Sequence, residues 1–417
     1  MRAVDPPDTQ ERAVVFFGYT APDTHWMQFH RDLAREIGRR GWKVVWVSPY
    51  CVHKNPRWWL ASFKDRVTSF ARGGWASLRR PPKVLFALAR RRVLFVFRGR
   101  LERDGTLWDF QPWGMSLLET PGFPPLDSLA VRQLGRALRT LGIERPFLLV
   151  CNPRDLPVAR RVPHQAVSYW VGDEAMFLLG SNPDLERILA YADLILAVSP
   201  TTFDQASRVY PEKTHRLGTG VSLRRVDDAE MSMPPDLADL PLPVVGYVGS
   251  ISSERFDTEL LLASARAIPD ATFVLVGPIE SRIAAHLEEQ RLANLHVLGA
   301  RPFEDMPRYV SAFDVGVVPY LLNDFNAGAD PIKVYEYLAM GKPVVSVAIP
   351  AVEELGKVVT IAHSRDGFID GIRAAFRDRD DAPAESRRAE SRRDEVARGH
   401  SAEVIADRLI ALFEDSR

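Results

Sequence analysis

Lys333 and Glu336 stand three residues apart in Asp330-Pro331-Ile332-Lys333-Val334-Tyr335-Glu336-Tyr337-Leu338-Ala339-Met340-Gly341-Lys342-Pro343, a stretch that runs into the apolar Val344-Val345-Ser346-Val347. The pattern predicts a short helix, with Asp330 as its N-cap and Pro331 as its first residue, stopped by Gly341 and Pro343 and followed by a buried strand. A lysine in the first turn faces the positive end of the helix macrodipole, which is unfavourable unless an anion shares the place. That points to a bound phosphate. Glu336 falls on the same helix face and has the capacity to accept two hydroxyl hydrogen bonds from a ribose or a sugar. Taken as an isolated pair, the two would form an exposed ion pair worth about a few tenths of a kcal/mol.

A second candidate lies upstream. Val244-Val245-Gly246-Tyr247-Val248-Gly249-Ser250 reads as a buried strand ending in a glycine, and glycine lets backbone N–H groups of Gly249 and Ser250 approach a phosphate closely. The alternative is a plain strand-to-helix turn. In the N-terminal half, Val167-Ser168-Tyr169-Trp170-Val171-Gly172-Asp173-Glu174 sets two carboxylates just after a buried strand, where parallel α/β sheets present functional groups. Asp173 is the better placed of the two for a general base that takes a proton from an acceptor hydroxyl; capping of the next helix is the competing role. His25, in Thr20-Ala21-Pro22-Asp23-Thr24-His25-Trp26, is a candidate for acceptor contact or for an alternative base, against a structural or solvated role.

The elements needed to position these groups alternate along the chain. Ala13–Gly18 reads as a first strand, Met27–Arg39 as a helix and Lys43–Val47 as a second strand, a βαβ opening continued by Phe147–Val150 and Ala166–Val171. The N-terminal half is therefore expected to be a parallel α/β domain. Pro-rich Met233–Pro243 reads as a linker to the second glycine-bearing half. Arg377–Arg398 is dense in charge, and Ala402–Phe413 regains helical periodicity.

With 417 residues the chain exceeds one hydrophobic core, and 46% apolar with 26% charged residues is ordinary for a soluble globular protein of two domains. Cys51 and Cys151 lie far apart, which argues against a disulfide framework or a zinc site and for buried thiols in a reducing compartment. The N-terminus lacks a charged region followed by an apolar core, and no apolar run is long enough to span a bilayer. A cytoplasmic location is expected.

These segments together resemble the GT-B glycosyltransferases, which take sugars from nucleotide diphosphates. Asp330–Pro343 resembles the donor-binding segment of that family. Val244–Ser250 and Phe273–Pro278 are similar to the first two strands of its C-terminal domain, and Leu295–Gly299 and Phe313–Pro319 to the two that follow. Ala192–Ser199 resembles a late N-terminal strand, and Gly218-Thr219-Gly220-Val221 is similar to the family's Asn-Gly-Val turn. The resemblance implies two Rossmann-like domains facing a cleft: an acceptor-binding domain over 1–232, a linker over 233–243, a donor-binding domain over 244–396, and a final helix, 397–417, crossing back to the first domain. It implies metal-independent transfer with no cofactor beyond the donor. Lys333, Glu336, Gly249 and Ser250 would hold that donor, with Arg255 as a second cation. Asp173 matches the strand-end position that carries the family's acceptor-side acid. Many retaining members have two glutamates separated by seven residues. Glu336 matches the later one and Gly328 stands at the earlier, with Asp330 close by, so retention or inversion stays open. The form Pro-Ile-Lys-x-Tyr-Glu-Tyr is closer to the branch building bacterial envelope and exopolysaccharides, including teichuronic-type and glucuronosyl transferases.

The net charge is zero, yet between Lys54 and Arg103 fourteen Lys or Arg face only Asp65 and Glu102, interleaved with Trp58, Trp59, Phe63, Phe70, Trp75, Phe86, Phe95 and Phe97. Such an insertion suits the headgroup layer of an anionic membrane, which would place the protein peripherally on the inner face of the plasma membrane beside a lipid-linked acceptor. A solvated helical insertion is the alternative, and nucleic acid is the weaker partner because no recognised module accompanies the patch. The expected activity is transfer of a sugar from a nucleotide diphosphate to a lipid-linked or polysaccharide hydroxyl. A nucleotide-sugar epimerase of the same fold and a non-catalytic module binding nucleotide or membrane are the rivals.

Overall fold

The computed structural model describes residues 12–18, 28–48, 100–111, 124–172, 182–227, 232–381 and 383–416. These separate into two compact units: Met1–Trp170 with Glu186–Leu194 and Phe413–Arg417, and Val171–Leu185 with Ile195–Leu412.

The first sheet contains β1 (Ala13–Phe17), β2 (Lys43–Val47), β3 (Arg100–Asp104), β4 (Leu107–Gln111), β5 (Phe147–Val150), β6 (Val167–Val171), β7 (Leu194–Ala197) and β8 (Thr214–Arg216). Its order is β3-β4-β2-β1-β5-β6-β7-β8. β1 pairs in parallel with both β2 and β5, whereas β3 and β4 form an antiparallel hairpin. The all-apolar runs of β1 and β5 are buried along their whole length, as expected of strands covered on both faces. The opening βαβ unit forms as expected, with its helix at Gln28–Arg39. The hairpin was not anticipated: residues 100–103, read as the end of the basic insertion, are a strand. Arg31, nearly buried on the first helix, holds it by ion pairs to Asp104 at 2.8 Å and Asp109 at 3.2 Å. The rest of that insertion, residues 54–99, lies outside the described residues, as does Cys51. Phe413, fully buried near the end of the helix Ala402–Asp415, stacks on Phe147 at 4.7 Å and packs against Trp42 at 6.0 Å.

The second sheet contains β9 (Val244–Val248), β10 (Thr272–Val276), β11 (Leu295–Gly299), β12 (Val315–Val318), β13 (Val344–Val347) and β14 (Thr360–Ala362). All of its pairings are parallel, in the order β11-β10-β9-β12-β13-β14. Counted from β9, this is the doubly wound order 3-2-1-4-5-6, whose direction of winding reverses between β9 and β12.

Two boundaries differ from the sequence reading. Residues 195–232 group with the second unit rather than the first: Thr219 N–H donates to the Asp330 carboxylate at 2.8 Å, Val221 N–H donates to the His400 carbonyl at 3.0 Å, and Arg216 pairs with Glu354. The expected linker, 233–243, is also fastened within that unit: Leu237 is buried in its core, and Asp236 accepts from Arg301 and from the Tyr309 hydroxyl. The charge-dense stretch, 377–398, runs from the end of the helix Arg365–Asp381 into the helix Pro383–Gly399, where Ala397 is buried and Arg393 donates to the Gly341 carbonyl at 2.9 Å. Arg387, Arg388, Arg392, Glu395 and Arg398 are exposed, while Ala397 and the half-buried Arg393 pack inward. Among the described residues no helix is long and apolar enough to cross a membrane.

Candidate functional site

The Lys333 helix spans Ile332–Ala339 and buries Val334, Tyr335, Tyr337 and Leu338. Tyr337 anchors it, since its buried hydroxyl accepts from the Val248 N–H at 2.9 Å. This holds the helix beside the carboxyl end of β9, where the winding direction reverses and open α/β sheets bind ligands.

Lys333 reaches that end. Its Nζ donates to the Tyr247 hydroxyl at 3.2 Å and to the Tyr320 hydroxyl, and lies 4.6 and 4.7 Å from the two ring centroids. Tyr247 comes from β9 and Tyr320 follows β12, so the lysine sits between aromatic walls contributed by the two strands flanking the switch point. Burial lowers its pKa, an effect that Tyr320 opposes. For Tyr320 itself burial pushes the phenol up, but the positive charges of Lys333 and Arg255 outweigh it and the net shift is downward. Arg255 is fixed by stacking, 5.2 Å from the Tyr320 ring and 4.6 Å from that of Phe325. Its carbonyl accepts from Asn326 Nδ2 at 3.0 Å. Two cations thus share one tyrosine, in a poorly hydrated setting where their charge is felt most strongly by an anion.

Gly249 makes the approach of Lys333 sterically allowed. Its φ is +131°, and a Cβ there would meet Lys333 Nζ at 2.9 Å. Its N–H, however, donates to the Val276 carbonyl at 2.9 Å. The expected phosphate contact from that N–H is therefore replaced by space for the lysine. The Ser250 carbonyl accepts from the Tyr247 hydroxyl at 2.8 Å and holds that ring in place.

Glu336 follows one turn after Lys333 and accepts from Arg225 Nη2 at 3.1 Å, both side chains being largely buried. Asp330 is not the N-cap. Pro331 occupies that position without a side-chain bond, and the Asp330 carboxylate is fully engaged by Thr219 N–H at 2.8 Å and the Tyr335 hydroxyl at 2.8 Å. Burial raises its pKa against these hydrogen bonds. Its carboxylate joins the Gly218–Val221 turn to the helix.

Asp173 and His25 lie outside the described residues; description ends at Gly172 after β6. Tyr247, Tyr320 and Arg225 were not singled out from sequence. The two tyrosines had a signal, since each sits at or just past the end of an apolar strand. Arg225 had none, because only the tertiary fold brings it to Glu336. No described group of three His, Cys, Asp or Glu side chains converges in a way suited to a metal ion.

Residues 242–378 match the family described as glycosyl transferases group 1. TuaH of Bacillus subtilis (strain 168), named as a teichuronic acid biosynthesis glycosyltransferase, is 32% identical over 178 residues, covering 41% of this chain and 44% of TuaH. The chain thus spans less than half the length of that relative. Among solved structures, sucrose-phosphate synthase from Thermosynechococcus elongatus superposes with a TM-score of 0.63 at 16% identity, covering 97% of this chain and 99% of the other. Anabaena Alr3699/HepE in complex with UDP and glucose gives 0.62 at 15% identity, covering 97% and 99%. The match over 242–378 contains Gly249, Arg255, Lys333 and Glu336, and the chain has the GT-B fold, with residues 242–378 similar to the glycosyl transferases group 1 family.

Proposed function

We propose that the chain is a glycosyltransferase that moves a sugar from a nucleotide diphosphate to a hydroxyl acceptor. The observation that carries this reading is the half-buried Lys333 held between Tyr247 and Tyr320 at the switch point, with Arg255 on the same tyrosine. Lys333 and Arg255 would take the diphosphate, and Glu336 a donor hydroxyl. As the bond from the sugar's anomeric carbon to the phosphate oxygen breaks, the electron pair stays on the diphosphate, and the two fixed cations stabilise the growing negative charge. The acceptor oxygen forms the new bond and its proton passes to a base, for which Asp173 is the first choice and His25 the second. The likeness to TuaH favours an envelope polysaccharide or lipid-linked acceptor, and the basic segment 54–103 would serve to dock on an anionic membrane beside it.

A module that binds a nucleotide without turnover is the second reading, favoured by Gly328 at the first acidic position and by the engaged Asp330 carboxylate. A thermal-shift screen against nucleoside diphosphates tests the shared part. A ligand at about one hundred times its Kd adds about 2.7 kcal/mol of stability, a clear rise in Tm. Lys333→Ala should abolish that rise while the protein stays folded. Product formation from donor and acceptor separates enzyme from module, and epimerised donor in the absence of acceptor would indicate the epimerase instead. An equal Tm rise in parent and Lys333→Ala would move the donor site elsewhere.

A further inference from the structure

Arg225 lies in a short helix, Leu223–Asp227, more than a hundred residues from Glu336 in sequence, yet the two meet as a largely buried ion pair. Arg225 is held at its side chain and at its backbone. The guanidinium carbon lies 4.2 Å from the Phe303 ring centroid, and the backbone N–H of Arg225 donates to Ser222 Oγ at 3.4 Å. Arg225 Nη2 engages Glu336 Oε1, and no described residue donates to Oε2. A free glutamate side chain samples several rotamers; one held at Oε1 by a stacked arginine presents Oε2 in a fixed direction, with no ordering left to be done when a ligand arrives. Glu336 stands one turn after Lys333 on the same helix, so the open oxygen belongs to the same site as the phosphate-seeking cation.

We infer that Arg225 is a positioning residue that aims the Glu336 carboxylate at the ribose hydroxyls of a ribonucleoside diphosphate. This rests on the nucleotide reading above. Arg225 contributes no contact of its own to the reacting atoms. It makes a carboxylate that could swing away into one that discriminates between a hydroxyl and its absence, because a buried acceptor left unmatched is costly.

The test uses the full chain and measures binding of UDP, GDP, ADP and CDP by calorimetry, each beside its 2′-deoxy counterpart. The nucleotide that the parent binds best should be held about tenfold or more tightly in its ribo form, the order expected for a hydrogen bond to a charged acceptor. Arg225→Gln should bring that preference close to unity, mainly by weakening the ribo form. Phe303→Leu, which keeps both charges and removes the stack, should lower it partway. In the Glu336→Gln background, Arg225→Gln should produce no further change in the preference, since the two act as one unit. An Arg225→Gln protein that keeps the parent preference, or that loses both forms in parallel, overturns the inference. A parent that binds nucleotide with no ribo preference overturns it as well while leaving the nucleotide reading intact. A parent that binds none of the eight removes that reading too.

Discussion

Replacing Gly249 by alanine adds one carbon at the point where strand β9 ends and Lys333 arrives. The structure gives the consequences in two parts. The backbone there has φ +131°, a region that L side chains avoid, and holding it costs on the order of 1–3 kcal/mol. The new Cβ would lie 2.9 Å from Lys333 Nζ and 3.0 Å from its Cε, closer than the usual separation of non-bonded atoms by about half an ångström or more. A lysine tip on a protein surface would simply move aside. This one is confined by the Tyr247 and Tyr320 rings, with centroids 4.6 and 4.7 Å from Nζ, and leaves its hydrogen bonds if it retreats. Displacement should remove a charge-assisted contact worth about 1.5–3 kcal/mol, so nucleoside diphosphate Kd should rise about ten- to a hundredfold. Calorimetry on the folded variant, paired with a thermal melt, separates the two parts. The double variant Gly249→Ala, Lys333→Ala should bind no worse than Lys333→Ala alone, because the glycine acts through the lysine. If Gly249→Ala melts lower yet binds nucleotide as the parent does, Lys333 is not the phosphate group and the reasoning fails.

Three further outcomes are expected. The pKa of Lys333 is lowered by burial from its ordinary 10.5, so nucleoside diphosphate affinity should fall as pH rises, starting below the usual lysine range. The depressed Tyr320 adds to the loss as it becomes anionic. Without ligand the sign reverses: a cation penalised in the folded state makes unfolding take up a proton, so this contribution to stability grows as pH climbs from the folded pKa of Lys333 toward 10.5. Calorimetry from neutral to alkaline pH checks the first effect, and a flat profile would contradict it. Asp330→Ala leaves Thr219 N–H and the Tyr335 hydroxyl without their acceptor, at about 1–3 kcal/mol each, so Tm should drop; a variant that instead melts normally and loses only turnover would make Asp330 a catalytic acid. Phe413→Ala removes a fully buried ring from between Trp42 and Phe147 and should cost about 3–5 kcal/mol by denaturant titration, whereas a loss under 1 kcal/mol would place the last helix loosely.

The sequence by itself determined the elements and the short-range constellation. Apolar runs such as Ala13–Phe17, Val244–Val248 and Val315–Val318 carry their own burial, since a strand covered on both faces needs only a continuous apolar stretch. Lys333 and Glu336 share a helix face because three residues make nearly one turn, and the excess of glycine and proline around them marks where that helix stops. Tertiary structure decided everything that joins residues distant in sequence. Tyr247 and Tyr320 meet at Lys333 only because β9 and β12 are neighbours in the sheet, which depends on the winding order and not on either segment. Asp330 reads locally as an N-cap, but burial beside Thr219 and Tyr335 offers its carboxylate two donors that a solvent-exposed cap would not match. The proline-rich segment reads as a spacer, yet Asp236 finds Arg301 and Tyr309, and Leu237 finds the core. Arg225 reads as one more surface arginine until Phe303 and Glu336 enclose it. Local propensities extend over a few residues and are fixed by backbone geometry, whereas the partners of a buried charge are set by which elements pack together.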